Sequence, residues 1–393
     1  MRFCTRCVIS NQRPSSAVEF RATKAERKET IAFGDTGVCN ACTYAETKAR
    51  IDWEAREQAL IELCREFRST TGDYDCIVPG SGGKDSAFAA HILRNKYGMH
   101  PLTVTWAPHA YTDVGFRNFQ SWIHSGFDNI LYTPNGKTHR LLARLAFENL
   151  LHPFQPFIIG QKYVAPKTSV HHDVPLVFYG ENQAEYGNNI ADNERPTMDP
   201  KFFGGETDLS KLYLGGVCAE DLVKQHGVDM SDLRAYMPTP AADLKRVGTV
   251  VHYLGYYLKW DPQECYYYAS EHTGFQASDE RTEGTYSKYS SIDDKMDRLN
   301  YYTKFIKFGI GQATYDAAQE IRNGKITREE GVALVKRFDG EFPAKYFHEM
   351  LAYLGISEAD FWTRVDAARS PHLWSKDSGG WKLRRAVWME ENP

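Results

Sequence analysis

The run Tyr74-Asp75-Cys76-Ile77-Val78-Pro79-Gly80-Ser81-Gly82-Gly83-Lys84-Asp85-Ser86 decides how this chain is read. A short apolar strand, Tyr74–Pro79, enters a glycine-rich turn and is followed by a helix to about Tyr97, which Gly98 stops. Consecutive glycines let backbone N–H groups turn toward an anion, and the N-terminus of the next helix adds its partial positive charge. Lys84 supplies a point charge, Ser81 and Ser86 supply hydroxyls, and Asp85 is a hard oxygen donor suited to magnesium. The loop departs from the Walker A pattern, which needs Ser or Thr directly after the lysine; Asp85 stands there.

Outward from this loop, strands are expected at Leu102–Trp106, Asn129–Tyr132 and Val174–Tyr179, with helices near Val114–His124 and Lys137–Leu151. Short apolar strands alternating with helices predict an α/β fold with a doubly wound parallel sheet. Ligands of such sheets sit over the carboxyl ends of the strands at the switch point. A second cluster, Tyr179-Gly180-Glu181-Asn182-Gln183-Ala184-Glu185-Tyr186-Gly187-Asn188, follows the strand ending at Tyr179 and should face the loop there. Glu181 and Glu185 are candidates for holding a metal, orienting an amine or accepting its proton, with a solvated acidic turn as the plain alternative. Lys162 is placed to reach phosphates or simply to be exposed. Trp106, at the end of the second strand, either meets an adenosine or packs in the core.

Upstream, a helix is expected over Glu46–Arg68; beyond Glu206, helices and tyrosine-rich loops take over. Thr327-Arg328-Glu329-Glu330 is a capping box opening a helix to Phe338, and Ser357-x-x-Asp360 opens another. The expected organisation is a Cys-bearing module plus helix over 1–68, a nucleotide-binding domain over 69–250 and a mainly helical region over 251–393.

Four of the eight cysteines form Cys4-x-x-Cys7 and Cys39-x-x-Cys42. Two such knuckles can converge on one tetrahedral zinc, and an all-thiolate site is closed and structural. Four unrelated thiols, a redox pair or an iron–sulfur cluster are the alternatives. The intervening charged stretch, Arg21–Thr30, reads as an inserted loop. Cys64, Cys76, Cys218 and Cys265 are isolated and read as small core residues. A net charge of −4 argues against an extended nucleic-acid groove. Apolar runs such as Pro156–Gly160 are far short of a membrane span. The segment Met1–Cys7 lacks a secretory apolar stretch, so a cytoplasmic location is expected.

Several motifs together resemble the N-acetyl sugar amidotransferases, bacterial members of the pyrophosphate-loop ATPase superfamily. They are C-T-R-C-V at Cys4–Val8 with Arg13-Pro14, G-V-C-N-A-C at Gly37–Cys42, S-G-G-K-D-S at Ser81–Ser86 and G-E-N at Gly180–Asn182. A C-terminal signature joins them, Lys307–Ala317 followed by Ile321–Glu330. The family usually carries Arg where Gln312 stands and Asp where Tyr315 stands, so Gln312 is left outside the expected site.

The resemblance implies an adenine nucleotide alpha-hydrolase (HUP-like) sheet and an AMP-forming reaction. ATP adenylylates the oxygen of a sugar N-acetyl group, pyrophosphate leaves, ammonia attacks, and an acetamidino group results. Lys84, Asp85, Glu181 and Glu185 would be catalytic. Ser81, Gly82, Gly83, Lys84, Asp85, Ser86, Trp106, Lys162, Gly180 and Asn182 would bind the nucleotide, with Asp85 on magnesium. The sugar is expected to be a nonulosonic acid or a nucleotide-linked N-acetyl sugar. Gly216-Val217-Cys218-Ala219-Glu220 lacks the second glycine of a nucleophile elbow, so ammonia is expected free or from a separate glutaminase. A tRNA-thiolating enzyme with the same loop is the main alternative, and a non-enzymatic zinc-ribbon interaction protein the third.

Overall fold

A computed structural model describes residues 1–22, 28–187, 195–205 and 207–390. Residues 23–27 of the charged stretch, and Asn188 of the second cluster, lie outside the described residues.

Five strands form one parallel sheet: β1 (Cys76–Pro79), β2 (Pro101–Trp106), β3 (Asn129–Tyr132), β4 (Leu176–Tyr179) and β5 (Val250–Tyr253), in the order β3-β2-β1-β4-β5. Ile77 lies opposite Leu102 on one side and Val177 on the other. The order reverses between β1 and β4, so their carboxyl ends flank the switch point, where a crevice opens. The helices are α1 (Asn40–Lys48), α2 (Trp53–Glu66), α3 (Lys84–Asn95), α4 (Asp113–His124), α5 (Gly136–Leu150) and α6 (Gln155–His172). They continue with α7 (Ala219–His226), α8 (Ala241–Val247), α9 (Pro262–His272), α10 (Met296–Phe308), α11 (Gln312–Arg322) and α12 (Arg328–Phe338). Two further helices, Phe347–Leu354 and Glu358–Ala367, and a hairpin of Trp374–Asp377 with Gly380–Leu383 complete the chain.

Alternation along each strand divides the core. Ile77, Val104 and Val177 pack with Leu142 of α5 and Ile159 and Tyr163 of α6 on one face. Cys76, Val78, Leu176 and Phe178 pack with Ala90 and Leu93 of α3 and Trp122 of α4 on the other. The C-terminal helices close over two neighbours: Leu299 and Phe361 join Phe147 of α5, while Ile310, Ala317 and Val335 join the four knuckle cysteines.

Three elements differ from expectation. The single helix over Glu46–Arg68 is two, because Asp52 accepts from the Ala55 N–H at 3.0 Å and caps a fresh start. Helix α6 was not foreseen: it is buried on most sides and carries Pro166 inside, so it shows no amphipathic period. Strand β5 falls in a segment expected to hold helices and tyrosine-rich loops; four residues are too few for a periodic signal. The capping box at Thr327–Glu330 is present on both sides, and Ser357 accepts from the Asp360 N–H at 3.1 Å.

Candidate active site

The loop leaves β1 at Pro79 and reaches α3 at Lys84. Gly82 has φ of +83°, and a Cβ there would stand 2.7 Å from the Phe119 Cα, so only glycine lets the loop lie against α4. Gly83 caps α3 without a side chain, leaving the helix N-terminus open to an anion. Lys84 is 6% exposed, and its Nζ donates to Asp85 Oδ2 at 2.5 Å. Burial opposes the Lys84 charge, but Asp85 outweighs it and its pKa rises. The other Asp85 oxygen, Oδ1, is buried with no hydrogen-bond partner among the described residues. A carboxyl oxygen left bare beside a phosphate-type loop fits a hard cation such as magnesium. Ser86 Oγ donates to the Gly83 carbonyl at 3.0 Å and braces the turn.

Glu181 comes to this group from the end of β4. Tyr186 donates its hydroxyl to Glu181 Oε1. Burial and then the Asp85 charge push the Glu181 carboxyl up, against the Tyr186 hydrogen bond and Lys84. Glu185 goes elsewhere. It is 5% exposed and accepts from Lys48 Nζ at 2.6 Å, and Lys48 also donates to the Trp260 carbonyl. The pair therefore ties the end of α1 to the turn after β4, outside the residues lining the crevice. Asn182 is equally structural in its contacts: it is buried, and its Oδ1 caps that turn at the Ala184 N–H, 3.1 Å.

Two chambers share Ser81, Gly83, Asp85, Gln161 and Glu181 as their common wall. The first, about 490 Å³, lies over the sheet and is lined by Gly80, Ser86, Trp106, Lys162, Gly180 and Tyr253. Trp106 is only 3% exposed; a Cβ on Gly160 would sit 2.0 Å from its ring, so α6 packs flat on the indole. Core packing accounts for this residue, which still contributes an edge to the chamber. Burial lowers the Lys162 pKa to about 8, and its Nζ lies 5.1 Å from the Phe202 ring centre.

The second chamber, about 430 Å³, contains Lys84 and is completed by the N-terminal module and the C-terminal helices. Arg13, Tyr186 and Trp260 line it, with Asp293, Asp297, Tyr315, Asp316 and Arg322. Burial raises the carboxyls of Asp293, Asp297 and Asp316 above their ordinary range. Gln312 also lines this chamber: it accepts from Lys304 Nζ at 2.9 Å and donates to Asp316 Oδ1 at 2.8 Å. Its exclusion from the expected site rested on family pattern alone. The sequence signal that could have found this wall was the acidic spacing Asp293-Asp294-x-x-Asp297 next to the C-terminal signature.

The cysteine knuckles behave as a metal site should. All four sulfurs are buried and lie within 4.8 Å of one another. Cys4 to Cys42 and Cys7 to Cys39 are each 3.8 Å, matching the roughly 3.8 Å edge of a tetrahedron with zinc–sulfur bonds of about 2.3 Å. Backbone N–H groups of Cys39 and Arg6 point at Cys4 Sγ, 3.3 and 3.4 Å away. Cys39 is the N-cap of α1, so the knuckle sets the helix that carries Lys48 to Glu185. Cys64, Cys76 and Cys265 are buried; burial raises the Cys265 thiol, which stands behind Lys84. Cys218 directs its thiol at the Leu209 carbonyl and lines neither chamber. No helix of the described residues is long and apolar enough to cross a membrane.

Residues 283–387, the segment that supplies Asp293, Asp297, Gln312, Asp316 and Arg322, match the family model described as LPS biosynthesis protein WbpG-like, C-terminal domain. An uncharacterized protein of Methanocaldococcus jannaschii, MJ1599, is 29% identical over 80 residues, 20% of this chain. The match spans 28% of that relative's length.

Proposed function

We propose that this chain is an ATP-dependent amidotransferase of surface-glycan biosynthesis, converting a sugar N-acetyl group to an acetamidino group. The observation that carries the reading is the crevice at the switch point. Its common wall holds a half-paired Asp85 and a Glu181 raised by burial, with one chamber on each side and the buried Lys84 facing the second. Two chambers around one phosphate-type loop suit two substrates that must meet there. The C-terminal family match supports glycan biosynthesis as the setting.

An amide oxygen is a poor leaving group, and adenylylation makes it a good one. The acetamido oxygen attacks the α-phosphorus of ATP, the bond to the β-phosphate breaks, and pyrophosphate departs. Lys84 and the open N-terminus of α3 stabilise the charge that develops on it. Asp85 Oδ1 would hold magnesium, which would neutralise phosphate oxygens. Ammonia then attacks the imidate carbon, and AMP leaves with the former amide oxygen. Glu181 accepts the nucleophile's proton, a role that its raised pKa favours over an ordinary carboxylate. Glu185 acts through position, by fixing the turn that presents Glu181.

No thiol among the described residues lines either chamber, which weighs against the sulfur-transferring tRNA reading. For the same reason ammonia comes free or from a separate glutaminase. The test is product analysis with N-acetylated sugars and ammonium: AMP and pyrophosphate support the reading, while ADP and phosphate, or activity on tRNA alone, contradict it.

A further inference from the structure

We infer that Arg13, with Arg322 beside it, is a specificity-determining anion site in the second chamber, reading a negatively charged group on the sugar substrate. The inference deepens the proposed function and rests on it for the identity of the sugar.

Arg13 comes from the N-terminal module, six residues after Cys7, with its backbone pinned by a Ser10 carbonyl and the Ile31 N–H. It is 5% exposed, yet it lines the chamber. No carboxylate among the described residues comes within ion-pair distance of it, although the chamber's far wall carries Asp293, Asp297 and Asp316. Its guanidinium instead lies 5.4 Å from the Tyr315 ring centre and 5.9 Å from that of Tyr186. Among the described residues its guanidinium has one hydrogen bond, a long 3.5 Å contact to the Pro14 carbonyl. Arg322 donates to the Glu185 backbone carbonyl at 3.0 Å, and its nearness depresses Arg13 further, after burial itself.

Two neighbouring guanidinium groups with no carboxylate partner among the described residues are costly to hold together out of water, even with the Cys39 charge acting in favour of Arg13. A fixed donor fork of this kind matches a carboxylate or phosphate. The site also adjoins the reacting centre, because Tyr186 packs on Arg13 and hydrogen-bonds Glu181. An anionic group seated there would fix the sugar ring relative to the loop. The zinc module thereby contributes to substrate choice as well as to folding.

The test is thermal unfolding of the zinc-loaded full chain, with N-acetylneuraminate as the carboxylate probe, UDP-N-acetylglucosamine as the phosphate probe and N-acetylglucosamine as the neutral control. In wild type, at least one anionic probe should raise Tm with at least tenfold higher apparent affinity than the neutral sugar, and which one responds names the anion. Arg13→Met should lose that difference, keep the response to magnesium-ATP, and show an unliganded Tm equal to or above wild type. Arg322→Met serves as the second variant and should weaken the same response. The inference is overturned if neither anionic probe outdoes the neutral sugar, if both variants keep the preference, or if Arg13→Met loses the magnesium-ATP response instead. Failure of magnesium-ATP to act on wild type would count against the proposed function, leaving the anion comparison to stand by itself.

Discussion

Glu185→Gln separates a positioning carboxylate from a catalytic one. Glu185 and Lys48 are a buried ion pair at 2.6 Å, both side chains 6% exposed. Removing one partner of such a pair leaves an uncompensated charge and typically costs about 3–5 kcal/mol. Here the ammonium keeps its bond to the Trp260 carbonyl, which puts the expected loss at the lower end, about 3 kcal/mol. With an unfolding entropy of roughly 2.1 cal/mol/K per residue, that is a Tm drop of about 4 °C for a chain of this length. Lys48→Met should cost a similar amount. The double variant should recover much of it, because a neutral pair of similar volume removes both desolvation penalties. Differential scanning calorimetry of the four proteins gives the coupling energy directly. Turnover per folded Glu185→Gln molecule should stay within several-fold of wild type. A Glu185→Gln protein with unchanged Tm and turnover down by roughly 10²-fold would refute this assignment and place Glu185 in the chemistry.

Lys84→Ala should cut ATP–pyrophosphate exchange by roughly 10²-fold or more, as expected for loss of one preorganised charge; wild-type exchange would remove the phosphate-loop assignment. Because Lys84 is buried against Asp85, the same variant should also melt lower. Cys39→Ser should lose zinc and soluble yield together, checked by metal analysis of the purified chain. Burial raises Asp294 to about 7. Its contribution is therefore fully present below the ordinary aspartate value near 3.8 and is lost as pH rises through about 7. Asp294→Asn should flatten the fall in Tm between about pH 4 and pH 7, relative to wild type.

What the sequence made legible was local. The strand–turn–helix around Ser81–Ser86 needs only glycine at tight places and charge at a helix start, and the two cysteine knuckles need only spacing. Both are encoded within a few residues. The partner of Glu185 was invisible because Lys48 lies 137 residues away, and nothing in Gly180-Glu181-Asn182 separates one glutamate from the next. Likewise the second chamber draws Arg13, Glu181 and Asp316 from three distant segments. Helix α6 escaped notice for a different reason: a helix buried on most sides carries no polar face to mark its period.

In the proposed reaction the acetamido oxygen is adenylylated before ammonia attacks. The most direct measurement is oxygen tracing: a sugar labelled with heavy oxygen in its N-acetyl carbonyl is turned over with ATP and ammonium, and the products are weighed by mass spectrometry. One labelled oxygen is expected in the phosphate of AMP and none in pyrophosphate or water. Unlabelled AMP, with the label released to water or kept in the sugar, would contradict it.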